Sequence, residues 1–234
     1  MRGRGQDIWR SLRRDRGAVI GMVLVALVSL MAICAPLAPF EPNEATDSLD
    51  DLDPPKHPIP PSSRLLLGSD KQGFYVFSRL LYGARATLLT GLAAIGLALL
   101  IGVPFGAVSG YAGGRVDNLF MRAVDVMLAF PSIVLAIAIA FVFSTRDLLP
   151  IIFAVAVVNV PTIARQVRAS VLQVKTHEFV LAARAMGYGP ARILFRHVLP
   201  NCLAPLIVVA TLGVGWAILS AAGLSFLGLG PPED

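Results

Sequence analysis

The chain has 234 residues, of which 56% are hydrophobic and 15% charged, with a formal net charge of +5. A soluble domain carries about a quarter charged residues, so this composition excludes an ordinary soluble globule and places the chain among membrane proteins. The basic excess is not a nucleic-acid signal. Lys and Arg gather beside apolar runs, as they do on the cytoplasmic flanks of membrane helices.

Residues 1–17 form a basic N-terminal segment with Arg2, Arg4, Arg10, Arg13, Arg14 and Arg16. Ala18–Ala35 is the first uncharged run near the ~20 residues needed to cross about 30 Å of hydrocarbon, which sets a first transmembrane segment at 18–37. A cleavable signal peptide is the lesser alternative. Ile33 before Cys34 is too bulky for a lipoprotein-type site, and the apolar run is long for a signal core. Residues 38–85 then form a loop, whose stretch "APFEPNEATDSLDDLDPPKHPIPP" is expected to be irregular and exposed, because prolines remove backbone donors and acids solvate the chain.

Residues 86–234 carry four further spans: Ala86–Tyr111, Val126–Thr145, Leu148–Ala164 and one within Leu203–Leu227. All five are expected to be helices, since a lone segment in lipid must satisfy its own backbone. The expected fold is therefore an all-α polytopic helix bundle. By the distribution of Lys and Arg, the N terminus and a basic loop at 165–201 are cytoplasmic, and the acid-rich 38–85 loop lies outside.

In the second span, Ala94, Ala98, Gly102, Gly106 and Gly110 recur every fourth residue. Such a stripe of small residues lets two helix backbones approach closely in lipid, either as fixed packing or as a moving interface. Pro104, Pro131, Pro161 and Pro205 lie in or beside spans and can kink them. Arg122 and Asp125, three apart, can pair on one helix face. Asn159 is the conspicuous polar group of the fourth span, and with Pro131 it is a candidate for pathway or gating. Its alternative role is an ordinary interhelical hydrogen bond.

Proton-driven carriers hold Asp, Glu or His within the bundle, which this chain lacks apart from the peripheral Arg122–Asp125 pair. There is no phosphate-binding G-x-x-x-x-G-K-[ST] loop. The expectation is a non-enzyme with no cofactor of its own, whose energy comes from a partner. Cys34 and Cys202 are expected at opposite faces and unbridged. No Cys/His cluster suggests a metal, and His57, His177 and His197 are expected at the surface.

The stretch "FVLAARAMGYGPARILFRHVLPN" (179–201) is the least lipid-like part of the second half. Thr176 is positioned to cap a short helix, with Glu178 in its first turn and Arg184 near its end, as the helix dipole favours. Gly187 suits the left-handed C-terminal position. Phe179, Ala182, Ala183 and Met186 form one shallow apolar face. Such a helix suits either a groove in a partner protein or the lipid interface.

"AARAMG" followed by "RHVLPN" resembles the EAA loop of ABC importer permeases, with Gly187 and Leu199-Pro200 at its characteristic positions. "GSDKQGFYVFSRLLYGARATL" (68–88), "DVMLAFPSIVLAIAI" (125–139), "VRASVL" and "LSFLGLG" (224–230) resemble the second permease subunit of the dipeptide/oligopeptide/nickel branch. Three features depart from that pattern: Leu181 stands where the loop's glutamate is usual, "GFYVF" replaces a more polar stretch, and a sixth helix is expected to be missing after Asp234.

The resemblance implies a permease subunit for di- or oligopeptides in a bacterial inner membrane, with its N terminus in the cytoplasm. It also implies a sister permease completing a heterodimeric pore, two cytoplasmic ATPase subunits that carry ATP and Mg, and an extracytoplasmic solute-binding protein. Membrane lipid surrounds the chain, and no nucleic acid is involved. Glu178, Phe179, Ala182, Ala183, Arg184, Met186, Gly187 and Pro200 become the candidates for ATPase coupling. Ala183→Glu is expected to uncouple transport without harming insertion. The alternatives are a nickel or other small-solute permease and, from another class, a truncated scaffold subunit that does not transport.

Overall fold

The computed structural model describes residues 12–38, 40–41, 58–62, 65–143 and 147–231. The Pro- and Asp-rich stretch 42–57, the arginines before residue 12, His57 and the last three residues lie outside the described residues. Regular structure is helical, and a lone bridge between Ser69 and Tyr75 is the sole extended pairing among the described residues. Among the described residues, four helices are long and apolar enough to cross a membrane, or five if one bent pair counts as a single span. The chain divides into two compact units, residues 1–88 with 233–234, and residues 89–232.

The first unit opens with α1, Arg16–Cys34. Asp15 caps it, its carboxylate accepting the N–H groups of Gly17 and Ala18 at 2.8 and 3.3 Å. This cap satisfies donors that would otherwise be orphaned and starts the helix two residues before the uncharged run. α1 is apolar all round and contains no buried residue, as a helix solvated by lipid does.

The loop expected to be irregular is in part built. Ser69 N–H donates to Ile59 O, and Ser69 Oγ accepts from Ile59 N–H. Phe40 stacks on Tyr75 with ring centroids 3.9 Å apart. Asp70 Oδ1 accepts from the N–H groups of Gln72 and Phe74, and Asp70 Oδ2 takes Arg79 Nη1 at 2.8 Å. The Arg79 guanidinium also lies over the Phe74 ring at 4.2 Å. This small knot leads directly into α2, Val76–Ala112, so the second span begins ten residues before the expected Ala86. Arg79 is drawn back towards Asp70, which lets a helix that starts with a charged turn continue into the apolar run.

Burial pushes the Asp70 carboxyl up, but the Phe74 and Gln72 N–H groups and the Arg79 guanidinium outweigh it, and the carboxyl stays below its ordinary 3.8. Its contribution to stability is therefore present above the unfolded value and lost as pH falls through the folded one. Limited proteolysis of the 59–75 knot should accelerate below about pH 4. Asp70→Asn should be cleaved readily at neutral pH and show little further change on acidification.

In the second unit, the rest of α2 is followed by α3 (Gly114–Leu128), α4 (Ser132–Val142), α5 (Leu148–Val174), α6 (Glu178–Ala185), a helical run from α7 (Pro190–Ile193) through Cys202, and α8 (Leu203–Leu224). α5 is central. Ile151, Ala154, Val155, Ala156, Val160, Ile163, Ala164, Val167 and Val171 are all buried, so it is enclosed on most sides by its neighbours. Gly102, Gly106 and Gly110 lie directly against it: a Cβ at Gly106 would stand 2.3 Å from Ala164 O, and one at Gly110 would stand 2.9 Å from Arg168 O. Ala94 and Ala98, higher on the same stripe, are fully buried in the same core.

Three expectations about spans are corrected here. The third span is not one helix over 126–145: α3 and α4 meet at 91° across a short break. Pro131 is the N-cap of α4, with φ −55° and ψ 128°, and the clash of a proline ring with the preceding residue disfavours continuation of the helix through Phe130. The fourth helix does not stop at Ala164 but runs ten residues further, because Arg165 and Arg168 find acids on α3. The basic segment expected at 165–201 therefore opens with the last ten residues of α5. Pro104 and Pro161 sit inside unbroken helices, and Pro205 falls in the first turn of α8, where a missing N–H costs little.

Candidate functional site

α6 follows α5 after only three residues. Thr176 does not cap it. Its hydroxyl donates to Gln173 O, ending α5, and His177 is the N-cap without a side-chain bond. Glu178 lies in the first turn and Arg184 in the last. The C terminus closes as a Schellman motif: Gly187 N–H donates to Arg184 O at 2.9 Å and Tyr188 N–H to Ala183 O at 3.2 Å. Gly187 takes φ +78°, a conformation a side chain would resist.

The apolar arc of α6 is wider than the face expected from sequence, and it is split. Val180 and Ala183 point inward and are 0% and 1% exposed, within the core that includes Val174 and Ile193. Phe179, Ala182 and Met186 point outward, with Phe179 40% and Met186 62% exposed. Ala183 thus belongs to the packing and not to the free face. Glu178 and Leu181 are exposed as well, while Pro200 sits apart in the turn Leu199–Cys202.

Behind α6 lies a polar cluster that the sequence reading missed. Gly113 and Gly114, with φ of +66° and +56°, turn the chain sharply from α2 into α3. In the first turn of α3, Asp117 accepts Arg168 Nε and Nη2 at 2.5 and 2.6 Å and Ser109 Oγ at 2.5 Å. Lys175 Nζ donates to Gly110 O at 2.7 Å. The Arg184 guanidinium approaches the Tyr111 ring at 5.9 Å. Asp125 pairs with Arg165 at 2.5 Å, not with Arg122 on its own helix, because α5 packs against α3 and brings its cation to the carboxylate. The visible signal was the spacing: Asp117 and Asp125 share one face of α3, and Arg165, Arg168 and Lys175 share one face of α5.

A cleft of 260 Å³ opens where α4, α5 and α8 meet. It is lined by Ser132, Ile133, Val158, Asn159, Trp216 and Ser220, with Ala136, Val155 and Leu224 at its base. Asn159 Nδ2 donates to Val155 O at 2.8 Å, which fixes the amide at the cleft wall. Pro131 stands immediately before the Ser132 that lines it, so the two pathway candidates from sequence meet at one place. Cys34 and Cys202 are free thiols, and no group of three His, Cys, Asp or Glu suited to a metal occurs among the described residues. His197 is half-buried and stacked near Tyr188, ring centroids 5.7 Å apart, rather than fully at the surface.

A bundle of apolar helices with one broken span, a central buried helix and a stapled amphipathic helix at its end defines a multi-pass membrane transport subunit. The chain belongs to the ABC peptide permeases. Residues 102–232 match the family of binding-protein-dependent transport system inner membrane components, and residues 3–55 match the N-terminal membrane domain of oligopeptide transport permease C. It is 48% identical over 170 residues to a dipeptide transport permease of Alkalihalophilus pseudofirmus, covering 73% of this chain and 56% of that protein. It is 41% identical over 229 residues to a di/tripeptide transport permease of Pseudomonas aeruginosa, covering 97% of this chain and 75% of that one. Among solved structures, the inward-facing MetNI methionine ABC transporter aligns with TM-score 0.57 and 24% identity, over 62% of this chain and 72% of the other. That likeness establishes the shared permease fold.

Proposed function

We propose that this chain forms part of the translocation pathway for di- or oligopeptides in an ATP-driven importer of the bacterial inner membrane, with its N terminus in the cytoplasm. A sister permease completes the pore, an extracytoplasmic binding protein delivers the peptide, and two cytoplasmic ATPase subunits hold ATP and Mg. This chain binds no cofactor and hydrolyses nothing. The reading rests on one observation above all: α6 turns Phe179, Ala182 and Met186 outward while Val180 and Ala183 are buried in the core and the helix packs against α7. A short helix fastened on one side and apolar on the other suits a groove in a partner. Phe179 and Met186 supply the projecting knobs, Arg184 and Glu178 the flanking charges, and Gly187 the sharp exit. Pro131 and Asn159 mark the pathway, where a broken helix meets a polar group at an intramembrane cleft.

The test is capture of the chain from gently solubilised native membranes, followed by reconstitution of the captured complex into vesicles with a labelled dipeptide outside. Recovery of a second permease and phosphate-loop ATPases, with uptake that requires ATP and binding protein, is the expected result. Recovery of the intact, folded chain without any ATPase would overturn the reading.

A further inference from the structure

We infer that the Asp117–Arg168 pair, with Lys175, is a positioning device that makes the α2–α3 corner travel with the coupling helix α6. The inference rests on the coupling reading of α6 above. α5 is unbroken from Leu148 to Val174, and a three-residue turn joins it to α6, so any displacement of α6 by a partner acts first on the end of α5. Two links tie that end to the corner, a third braces the corner itself, and a fourth reaches it from α6. The Arg168 fork grips both oxygens of Asp117, a geometry that fixes orientation as well as distance. Asp117 also holds Ser109 in the last turns of α2. Lys175 holds the carbonyl of Gly110, and Arg184 of α6 itself reaches over Tyr111.

Below these links, Gly106 and Gly110 bring the backbones of α2 and α5 into direct contact, which adds packing between the same two helices. At the far end of α3 the chain breaks at Ala129–Pro131 and turns through 91° into α4, beside the Asn159 cleft. The corner is thus tied firmly to the coupling end and joined through a bend to the cleft. Packed bodies separated by a few element-terminal residues move as hinged units. Side-chain exposures of 33% for Arg168 and 13% for Asp117 leave the pair partly desolvated, so its electrostatic hold is screened less than that of a surface pair.

The experiment compares Asp117→Asn and Arg168→Lys with the unaltered chain in complete importer complexes in vesicles, counting peptide imported per ATP hydrolysed and normalising to assembled complex. Asp117→Asn should lower that ratio about tenfold, the scale of one lost charge-assisted hydrogen bond. Half-saturation by loaded binding protein should stay unchanged. Arg168→Lys keeps the charge but loses the fork and should fall between the two. Asp70→Asn, which removes a comparable ion pair in the other unit, should leave the ratio alone. If both variants import the normal number of peptides per ATP, or if their sole defect is less assembled complex, the inference is overturned. If the unaltered complex shows no ATP-dependent uptake, the coupling reading falls and takes this inference with it.

Discussion

Gly106→Leu should remove the folded protein from the membrane. The backbone carbonyl of Ala164 occupies the place where even a methyl group would go, at 2.3 Å, and the Val167 side chain stands 2.9 Å from it. Neither is the flexible end of a long side chain, so relief requires α2 and α5 to part. Parting exposes Ala94, Ala98, Ile163 and Val167 together and pulls the Arg168–Asp117 and Lys175–Gly110 links out of reach. Overpacking of a core costs about 1–3 kcal/mol when neighbours can adjust, and here the obstruction is backbone, so the cost should exceed that range. Thermal unfolding in detergent, followed by loss of monodisperse protein, should show a large drop for Gly106→Leu. Gly96 has nothing within 4 Å of a Cβ position, and Gly96→Leu on the same helix should unfold near the unaltered temperature. Equal stability of the two variants would show that the stripe carries no packing.

The spacing of small residues made this contact readable in the sequence, because a repeat of four is a direct image of one helix face. The partner helix was not readable, since the stripe carries no label for what it meets. The spans were legible for a similar reason: lipid forces each crossing to be long, apolar and helical. The break at Pro131 was not. Pro104 and Pro161 have the same local chemistry and stay inside intact helices, Pro161 because α5 is held from most sides by the core. Phe130 and Pro131 are exposed, and nothing there resists the turn. The Asp117–Arg168 pair joins residues 51 apart and appears only once α3 packs against α5. Asp125 shows the converse error. A plausible partner three residues away lost to Arg165 on the neighbouring helix, because a helix-surface pair is weak and tertiary packing decides which cation arrives.

Ala182→Glu should abolish ATP-dependent import while leaving a folded, membrane-inserted chain, and Ala183→Glu should destroy the fold. The two positions are adjacent and chemically identical, so the contrast tests the orientation of α6 and nothing else. Ala182 is exposed on the face shared with Phe179 and Met186. A carboxylate there meets water in the free subunit and is buried only when a partner covers it. Ala183 is 1% exposed, and a carboxylate there enters the apolar core that holds Val180 and Ile193. Such a charge is expensive enough that the site rearranges or the helix leaves its seat. Sequence periodicity could not make this distinction, because Ala182, Met186, Phe179, Ala183 and Val180 lie in order around one continuous apolar arc. The three-dimensional seat beside Val174 and Ile193 divides that arc. Detergent-stable yield and capture of the ATPase subunits are the paired readouts: normal yield without ATPase for Ala182→Glu, and low yield for Ala183→Glu. Normal ATPase capture and import by Ala182→Glu would mean that the outward face of α6 is not the coupling surface, even though the helix is seated as the structure has it.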